Sequence, residues 1–494
     1  MVILFEKKIM KKLAILVISG IMLASCSEWL VEKPKRIAES VFYNTPSEVE
    51  TAVNAILLPL RQAREAQFAN YIATLECQSD WMVGRGSWEP LSQYQGLNDV
   101  NITRVQGFWN AFYVGIRNAN LVILNAPNGT SISQQDIAKY VGEAKFLRAF
   151  LYYQLVQNWG SVPLRTEANM IQRDLPKSSV DDIYDLIVSD LLDAETNLPP
   201  TPSVKGRPTR WAAKTLLADV FLNLNRPAEA AARANEVIQQ GGFSLVPVSS
   251  VEDIQTKIFG PDDAVTNAQN EEIFALKYAR IDNQGNYILW ISLHPSMNLY
   301  INGGGAYAVH GDASNPNYIN WNDDDIRKGM WSRINYGNAP NALISSKYAD
   351  PQAVSQYGAG NDQPIFRYPD ALLLYAEAAA RAENTVSAAA MEALNKVHRR
   401  AYGYDPETPS PVDLDVADYT VETFIDRVIQ ERGYEFIYEG KRWLELKRTG
   451  KVHELVQYGK GKPIAEKHLL WPIPASEMNF NNALDPTRDQ NPGY

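Results

Sequence analysis

The stretch Trp211-Ala212-Ala213-Lys214-Thr215-Leu216-Leu217-Ala218-Asp219-Val220-Phe221-Leu222 follows Thr209, breaks at Asn225-Arg226-Pro227, and resumes as an alanine-rich run to Gln240 before Gly241-Gly242. Apolar and small residues recur at helical spacing on both sides of the break. The proline opening the second run and the glycines just past its end are helix start and stop signals, so the stretch predicts a helical hairpin. A similar unit returns at Ala371-Leu372-Leu373-Leu374-Tyr375-Ala376-Glu377-Ala378-Ala379, with a break near Asn384 and a second run from Ala388 to Arg400. Small residues let paired helices approach closely, and two-helix units of about 34 residues point to tetratricopeptide-like stacking. Coincidental hairpins in an all-α domain fit the same pattern.

Further helices are marked upstream. Thr45-Pro46-Ser47-Glu48 is a capping box with proline at the first helical position, followed by Val49, Val53, Ile56, Leu57 and Leu60 at helical spacing. Val105, Phe108, Trp109, Phe112, Ile116 and Ala119 form a second stripe, and Val141, Ala144, Phe146, Leu147, Leu151 and Leu155 a third. Ser179 with Asp182 opens another helix. The predicted class is therefore mostly all-α, a helix-pair superhelix with minor β structure. Residues 282–340 differ: Asn283, Asn286, Asn298, Asn302, Asn315, Asn317, Asn320 and Asn322 accompany Gly303-Gly304-Gly305 and many aromatics, which predicts a loop-rich insertion with short strands. Loops of this length are uncommon in compact domains and are often functional. Residues 462–494 are Pro- and Asn-rich and are expected to run irregularly over the helices.

The 494 residues allow about three ordinary domains or one large helical one. Lys plus Arg number 47 against 57 Asp plus Glu, a formal net charge of -10, which argues against nucleic acid as a partner. The two cysteines, Cys26 and Cys77, leave no room for a disulfide framework or a Cys-rich zinc site. At the start, Lys11 and Lys12 precede an apolar run over residues 13–23 that ends in Leu23-Ala24-Ser25-Cys26. The run reaches about 16 Å as a helix, half of a ~30 Å hydrocarbon core, so it reads as a cleaved signal over residues 1–25. Met10 begins a cleaner signal than Met1 does. Small residues directly before a cysteine resemble a bacterial lipobox, making Cys26 the expected lipidation site, with an ordinary signal peptide as the alternative. Removing residues 1–25 takes away four lysines and Glu6, so the mature chain deepens to -13. Acyl chains hold a protein at a membrane without any basic patch.

Chemistry is sparse. His294, His310, His398, His453 and His468 lie in no zinc spacing, and no nucleophile elbow, P-loop or dinucleotide fingerprint is present. Asn320, Asn322 and Asp324 alternate like a calcium loop, but Asp325 and Trp331 stand where Gly and Glu are needed. An irregular site at Asp323 to Asp325 competes with a simple solvated acidic turn. No catalytic residue, metal or cofactor is predicted, although a carboxylate pair for glycoside hydrolysis is invisible to sequence spacing. Aromatics in loop text stand out instead. Trp81 and Trp88 flank Gly84-Arg85-Gly86, and Trp290, Tyr307, Tyr318, Trp321 and Trp331 lie in the Asn/Gly-rich region. Flat apolar rings and amide side chains suit sugar rings and their hydroxyls, while the competing role for each ring is to anchor its own loop.

Several ordered blocks resemble the SusD/RagB family of nutrient-binding outer-membrane lipoproteins of Bacteroidota. Cys26-Ser27-Glu28-Trp29-Leu30 and Glu32-Lys33-Pro34-Lys35 are similar to its mature start, and Trp109, Tyr113, Ile116 and Asn120 to its early helix. Gly142 to Ala149 leading to Trp159-Gly160-Ser161-Val162-Pro163-Leu164 is a more specific match. The C-terminal blocks are stronger: Arg367-Tyr368-Pro369-Asp370, Glu431-Arg432 through Phe436, Glu439-Gly440-Lys441-Arg442-Trp443, Leu446-Lys447-Arg448, Trp471-Pro472-Ile473-Pro474 and Gln490 to Tyr494. The chain departs from the pattern at Pro369 and Lys441.

The resemblance covers nearly the full length. It implies one SusD-like domain over residues 26–494, built on tetratricopeptide-like pairs, in a protein anchored by lipid to the outer membrane and facing the cell exterior. It implies a non-enzymatic lid that captures an oligosaccharide for a SusC-like TonB-dependent transporter; a peptide ligand, a surface glycosidase or an assembly scaffold are the alternatives. Family ligand sites lie on loops corresponding to 70–100 and 280–340, so Trp81, Trp88, Trp290, Tyr307 and Trp321 are the candidate ligand-binding residues. Arg432, Glu435, Glu439, Arg442 and Trp443 are expected to form packed, charge-paired scaffold.

Overall fold

A computed structural model describes residues 42–62, 67–261, 271–300, 304–336 and 339–494, so Cys26 and the expected signal lie outside the described residues. Helices begin where the chain offers caps. In α1 (Pro46–Asn54) the Thr45 hydroxyl accepts from Glu48 N while Thr45 N donates to Glu48 Oε2 at 2.9 Å, the capping box legible in sequence. Next come α2 (Phe68–Gln78), β1 (Met82–Gly84), α3 (Asp99–Asn125) and α4 (Gln134–Trp159). Ser179 and Asp182 box the start of α5 (Val180–Asn197), and the opening hairpin is α6 (Arg210–Asn223) with α7 (Pro227–Gln240).

Each helix packs on the next from α3 through α7. The stack then continues without its sequence neighbour: α7 docks directly on α9 (Tyr368–Glu383), which packs on α10 (Ala388–Ala401) and α11 (Val421–Glu435). Small side chains are fully buried on both helices, Ala230 and Ala234 in α7 and Ala376, Ala378 and Ala380 in α9. Asn384 ends α9 in the left-handed conformation at φ 50°. Two shorter helices, α12 (Arg442–Arg448) and α13 (Val452–Lys460), follow. Buried apolar residues from Tyr43 to Leu484 form one contiguous core. Among the described residues no helix is long and apolar enough to cross a membrane.

The segment interrupting the stack spans residues 241–367, so the expected limits of 282–340 fall inside it. It holds β2 (Glu272–Leu276), the short α8 (Ile288–Ser292), β3 (Val309–Asp312), β4 (Trp331–Tyr336), β5 (Ala339–Ser345) and β6 (Gln363–Arg367). β2 pairs antiparallel with β6, and β1 joins three insertion strands in an antiparallel sheet of order β1-β3-β5-β4.

Buried ion pairs fasten this insertion to the helices. Arg367 Nη1 lies 2.6 Å from Glu271 Oε1 and 2.9 Å from Glu435 Oε1, and its Nη2 is 2.8 Å from Glu439 Oε1. Arg327 reaches Asp325 at 2.7 Å, Glu431 at 2.6 Å and Glu435 at 2.9 Å, and Lys347 reaches Glu439 at 2.6 Å. Arg442 clasps Asp80 at 2.8 Å, and Arg432 pairs with Glu445. The family-like block from Glu431 to Trp443 is thus charge-paired scaffold. Lys441, one of the departures, donates to Asp370 Oδ1 at 2.6 Å and sits 4.2 Å from the Phe436 ring centre. Pro369 occupies the first turn of α9, where its missing N–H costs nothing. The C-terminal blocks close on α4: Trp159 and Trp471 meet edge to face at 5.0 Å, and Asn491 Nδ2 donates to both of their carbonyls.

These pairs fix an acid limit to stability. Burial alone raises Glu439, but Arg367, Lys347 and Lys441 outweigh it and hold the carboxyl at about 2; Glu377 is likewise brought to about 2 by Arg448 and Arg381. Both folded values lie below the ordinary 4.5. Their contribution is therefore complete above about pH 4.5 and is lost as pH falls from there toward about 2, on the order of 3 kcal/mol for each group. Thermal melts are expected to stay level down to about pH 5 and then fall steeply; a melting temperature unchanged at about pH 3 would contradict this.

Candidate functional site

The loops above the sheet gather a set of rings and cations around one turn. β1 leads into residues 84–88, where Gly84 is obligatory, since a Cβ there would meet Trp88 O at 2.3 Å. The turn folds Trp88 inward and leaves Arg85 exposed. Arg85 N donates to Ala308 O at 2.7 Å and its Nη1 donates to Ala306 O at 3.1 Å, prolonging the β1–β3 pairing.

The partner strand segment, residues 304–308, is clamped from its other side by α8. Ala306 N donates to Trp290 O at 2.7 Å, Tyr307 N to Leu293 O at 3.0 Å and Ala308 N to Ile291 O at 2.8 Å. Gly305, at φ 128°, approaches so closely that a Cβ would lie 2.3 Å from Leu293 O. Tyr307 itself sits at φ 38°, a left-handed conformation that a bulky residue adopts only under constraint and that recurs at functional sites. Its ring is held between Arg85, whose guanidinium lies 4.1 Å from the ring centre, and His294, 4.6 Å away. His294 Nδ1 accepts from Ser296 N at 3.1 Å, and burial with the nearby Arg85 lowers its proton affinity, so the ring is neutral at neutral pH.

Aromatic surface continues along α8. Trp290 is half-buried, and Tyr287, just before the helix, stacks on Tyr357 with centroids 4.6 Å apart and planes at 16°. Tyr287 Oη accepts from Gln356 Nε2 at 3.1 Å. Arg104 on α3 stands beside this group: it lies 3.8 Å over the Trp88 ring and donates to Asn101 Oδ1 at 2.6 Å and Ser87 Oγ at 2.8 Å. The result is an arc of partly exposed rings, with guanidinium and imidazole donors between them. Such a surface stacks on the flat faces of a ligand and donates to its polar edges.

Of the five sequence-predicted ligand residues, Trp290 and Tyr307 lie on this arc. The other three require correction. Trp81 is 4%, Trp88 6% and Trp321 2% exposed, so none presents a ring face to solvent. Trp321 stacks on Tyr434 at 4.2 Å and 9°, Trp81 meets both edge-on at 5.7 Å, and Arg104 covers Trp88. A tryptophan buries more apolar area than any other side chain, so in a loop that reaches the core it is drawn inward. The acidic turn also differs from a solvated one: Asp325 is buried, accepting from Trp321 Nε1 at 2.8 Å and Arg327 Nη2 at 2.7 Å. Arg85, Arg104, His294, Tyr287 and Tyr357 were missed as candidates. Arg85 alone carried a local signal, a cation between two glycines in a loop.

A family model described as the SusD family matches residues 296–494, and a second, described as starch-binding associating with outer membrane, matches residues 28–222. A SusD-like protein of Formosa agariphila is 24% identical over 95% of this chain and 97% of its own length. A SusD homolog from Bacteroides thetaiotaomicron has the same fold, with a TM-score of 0.76 at 22% identity over 92% of this chain and 98% of that one. Surface glycan-binding protein A from Bacteroides thetaiotaomicron, solved in complex with laminarihexaose, superposes with a TM-score of 0.73 at 21% identity over 90% and 99%. Together with the helical stack and the ordered sequence blocks, the two matched segments identify this chain as a member of the SusD/RagB family.

Proposed function

We propose that the protein is a cell-surface glycan-binding lipoprotein, anchored through Cys26, that captures an oligosaccharide and passes it to a TonB-dependent outer-membrane transporter of the SusC type. The observation that carries this reading is the arc of Trp290, Tyr307, Tyr287 and Tyr357, rings held in place by backbone clamps with polar donors between them. A preformed platform binds without a large ordering cost, as a capture protein requires. The family model described as starch-binding, and the related folds solved with laminarihexaose or described as laminarin binding, support a sugar over a peptide.

Calorimetry of the mature protein against a panel of neutral and acidic oligosaccharides and mixed peptides tests the reading. Trp290→Ala and Tyr307→Ala are each expected to weaken the bound glycan by about 2 kcal/mol, roughly thirtyfold, without lowering the melting temperature by more than a few degrees. Binding confined to peptides, or glycan affinity unchanged in both variants, would overturn it. Release of new reducing ends from a bound polysaccharide would replace it with a hydrolase.

A further inference from the structure

The cations on the arc differ from the buried arginines of the scaffold. The interior arginines Arg148, Arg207, Arg327, Arg367 and Arg400 each form a salt bridge with Asp or Glu. Among the described residues Arg85 and Arg104 form none. Arg85 Nη1 is bonded to a neutral carbonyl, and Arg104 is bonded to an amide and a hydroxyl. Burial lowers Arg104 from its ordinary value. A chain of net charge -10 thus carries on its ring-lined face two guanidiniums that pair with no carboxylate among the described residues.

We propose that the arc selects an acidic oligosaccharide, one bearing carboxylate or sulfate groups, and that Arg85 and Arg104 are the residues that select it. This rests on the glycan-binding reading above and narrows its ligand class. A guanidinium seated over an aromatic ring is restrained, and its unused N–H groups match the oxygens of a carboxylate or sulfate. Arg85 lies over the Tyr307 ring, 4.1 Å from its centre, with Nε and Nη2 donating to no protein acceptor among the described residues. Arg104 is similarly fixed over Trp88, so neither cation has to be ordered when ligand arrives.

The experiment compares three length-matched probes on the mature protein by calorimetry: a neutral glucan hexamer, an oligogalacturonate hexamer and a sulfated glucan hexamer. At low salt at least one acidic probe is expected to bind tenfold or more tightly than the neutral one, and the margin to shrink severalfold in 0.5 M NaCl. In Arg85→Gln the acidic-to-neutral affinity ratio is expected to fall about tenfold, and in Arg85→Lys by less. Which acidic probe binds tells carboxylate from sulfate. Equal or tighter binding of the neutral probe by the unaltered protein overturns the inference while leaving the glycan-binding reading intact. An acidic preference insensitive to both salt and Arg85→Gln overturns the assignment to these arginines. Binding of none of the three, with a peptide bound instead, overturns the inference together with the reading on which it rests.

Discussion

Arg367→Met is expected to cost about 3–5 kcal/mol of stability, the usual price of removing one partner from a buried ion pair. Arg367 is 2% exposed, and besides its contacts to Glu271, Glu435 and Glu439 its Nε donates to Glu439 Oε2 at 3.1 Å. Methionine fills much of the volume but leaves the carboxylates facing a reduced set of cations, namely Arg400, Arg327, Lys347 and Lys441. The consequence reaches beyond one helix. Glu271 stands before β2 and Lys347 after β5, whereas Glu435 and Glu439 lie at the end of α11 and beyond it, so the network joins the ligand-bearing insertion to the helical stack. Urea unfolding should show the midpoint falling with the slope unchanged. Arg367→Lys, which keeps the charge and loses the fork, should cost clearly less. A loss under about 1 kcal/mol in the methionine variant would mean that the glutamates neutralise themselves by taking up protons, which a raised acid limit to stability would reveal.

Helices were legible because their determinants are local. Capping residues, periodic apolar positions and alanine runs lie within a few residues of the structure they cause, and α1, α5 and the hairpin of α6 and α7 form where those signals stand. The docking of α7 on α9 was not legible, because nothing near Gln240 states that the next helix of the stack begins at Tyr368. The same distinction separates the two halves of the charge network. Glu435, Glu439 and Arg442 recur on a helical pattern, but their partners Arg367, Lys347 and Asp80 come from remote segments. At the site, composition marked the right loops without telling which ring faces out. Trp290 and Trp321 sit in similar Asn-rich text, yet one is half-buried and the other enclosed. Tyr357 and Arg104 reach the arc through tertiary folding alone.

Trp321→Ala is therefore expected to act on stability and not on the ligand surface, at about 3–5 kcal/mol for a large aromatic removed from a packed interior. Two effects add. The ring lies flat on Tyr434 and edge-on to Trp81, so its loss opens a cavity between the insertion and α11. Its Nε1–H also donates to Asp325, whose carboxylate holds Arg327, which in turn reaches Glu431 and Glu435. Trp321→Phe should retain most of the stacking and lose only the hydrogen bond, at about 1–2 kcal/mol. Thermal melts rank the three proteins, and calorimetry well below the transition measures affinity in the fraction that remains folded. That affinity is expected to stay within about threefold of the unaltered protein, because no ligand can reach a ring sealed beneath Tyr434 and Trp81. A Trp321→Ala variant that melts normally but no longer binds glycan would place the ring on the ligand face, and would show that the loop over residues 316–330 opens in solution to expose it.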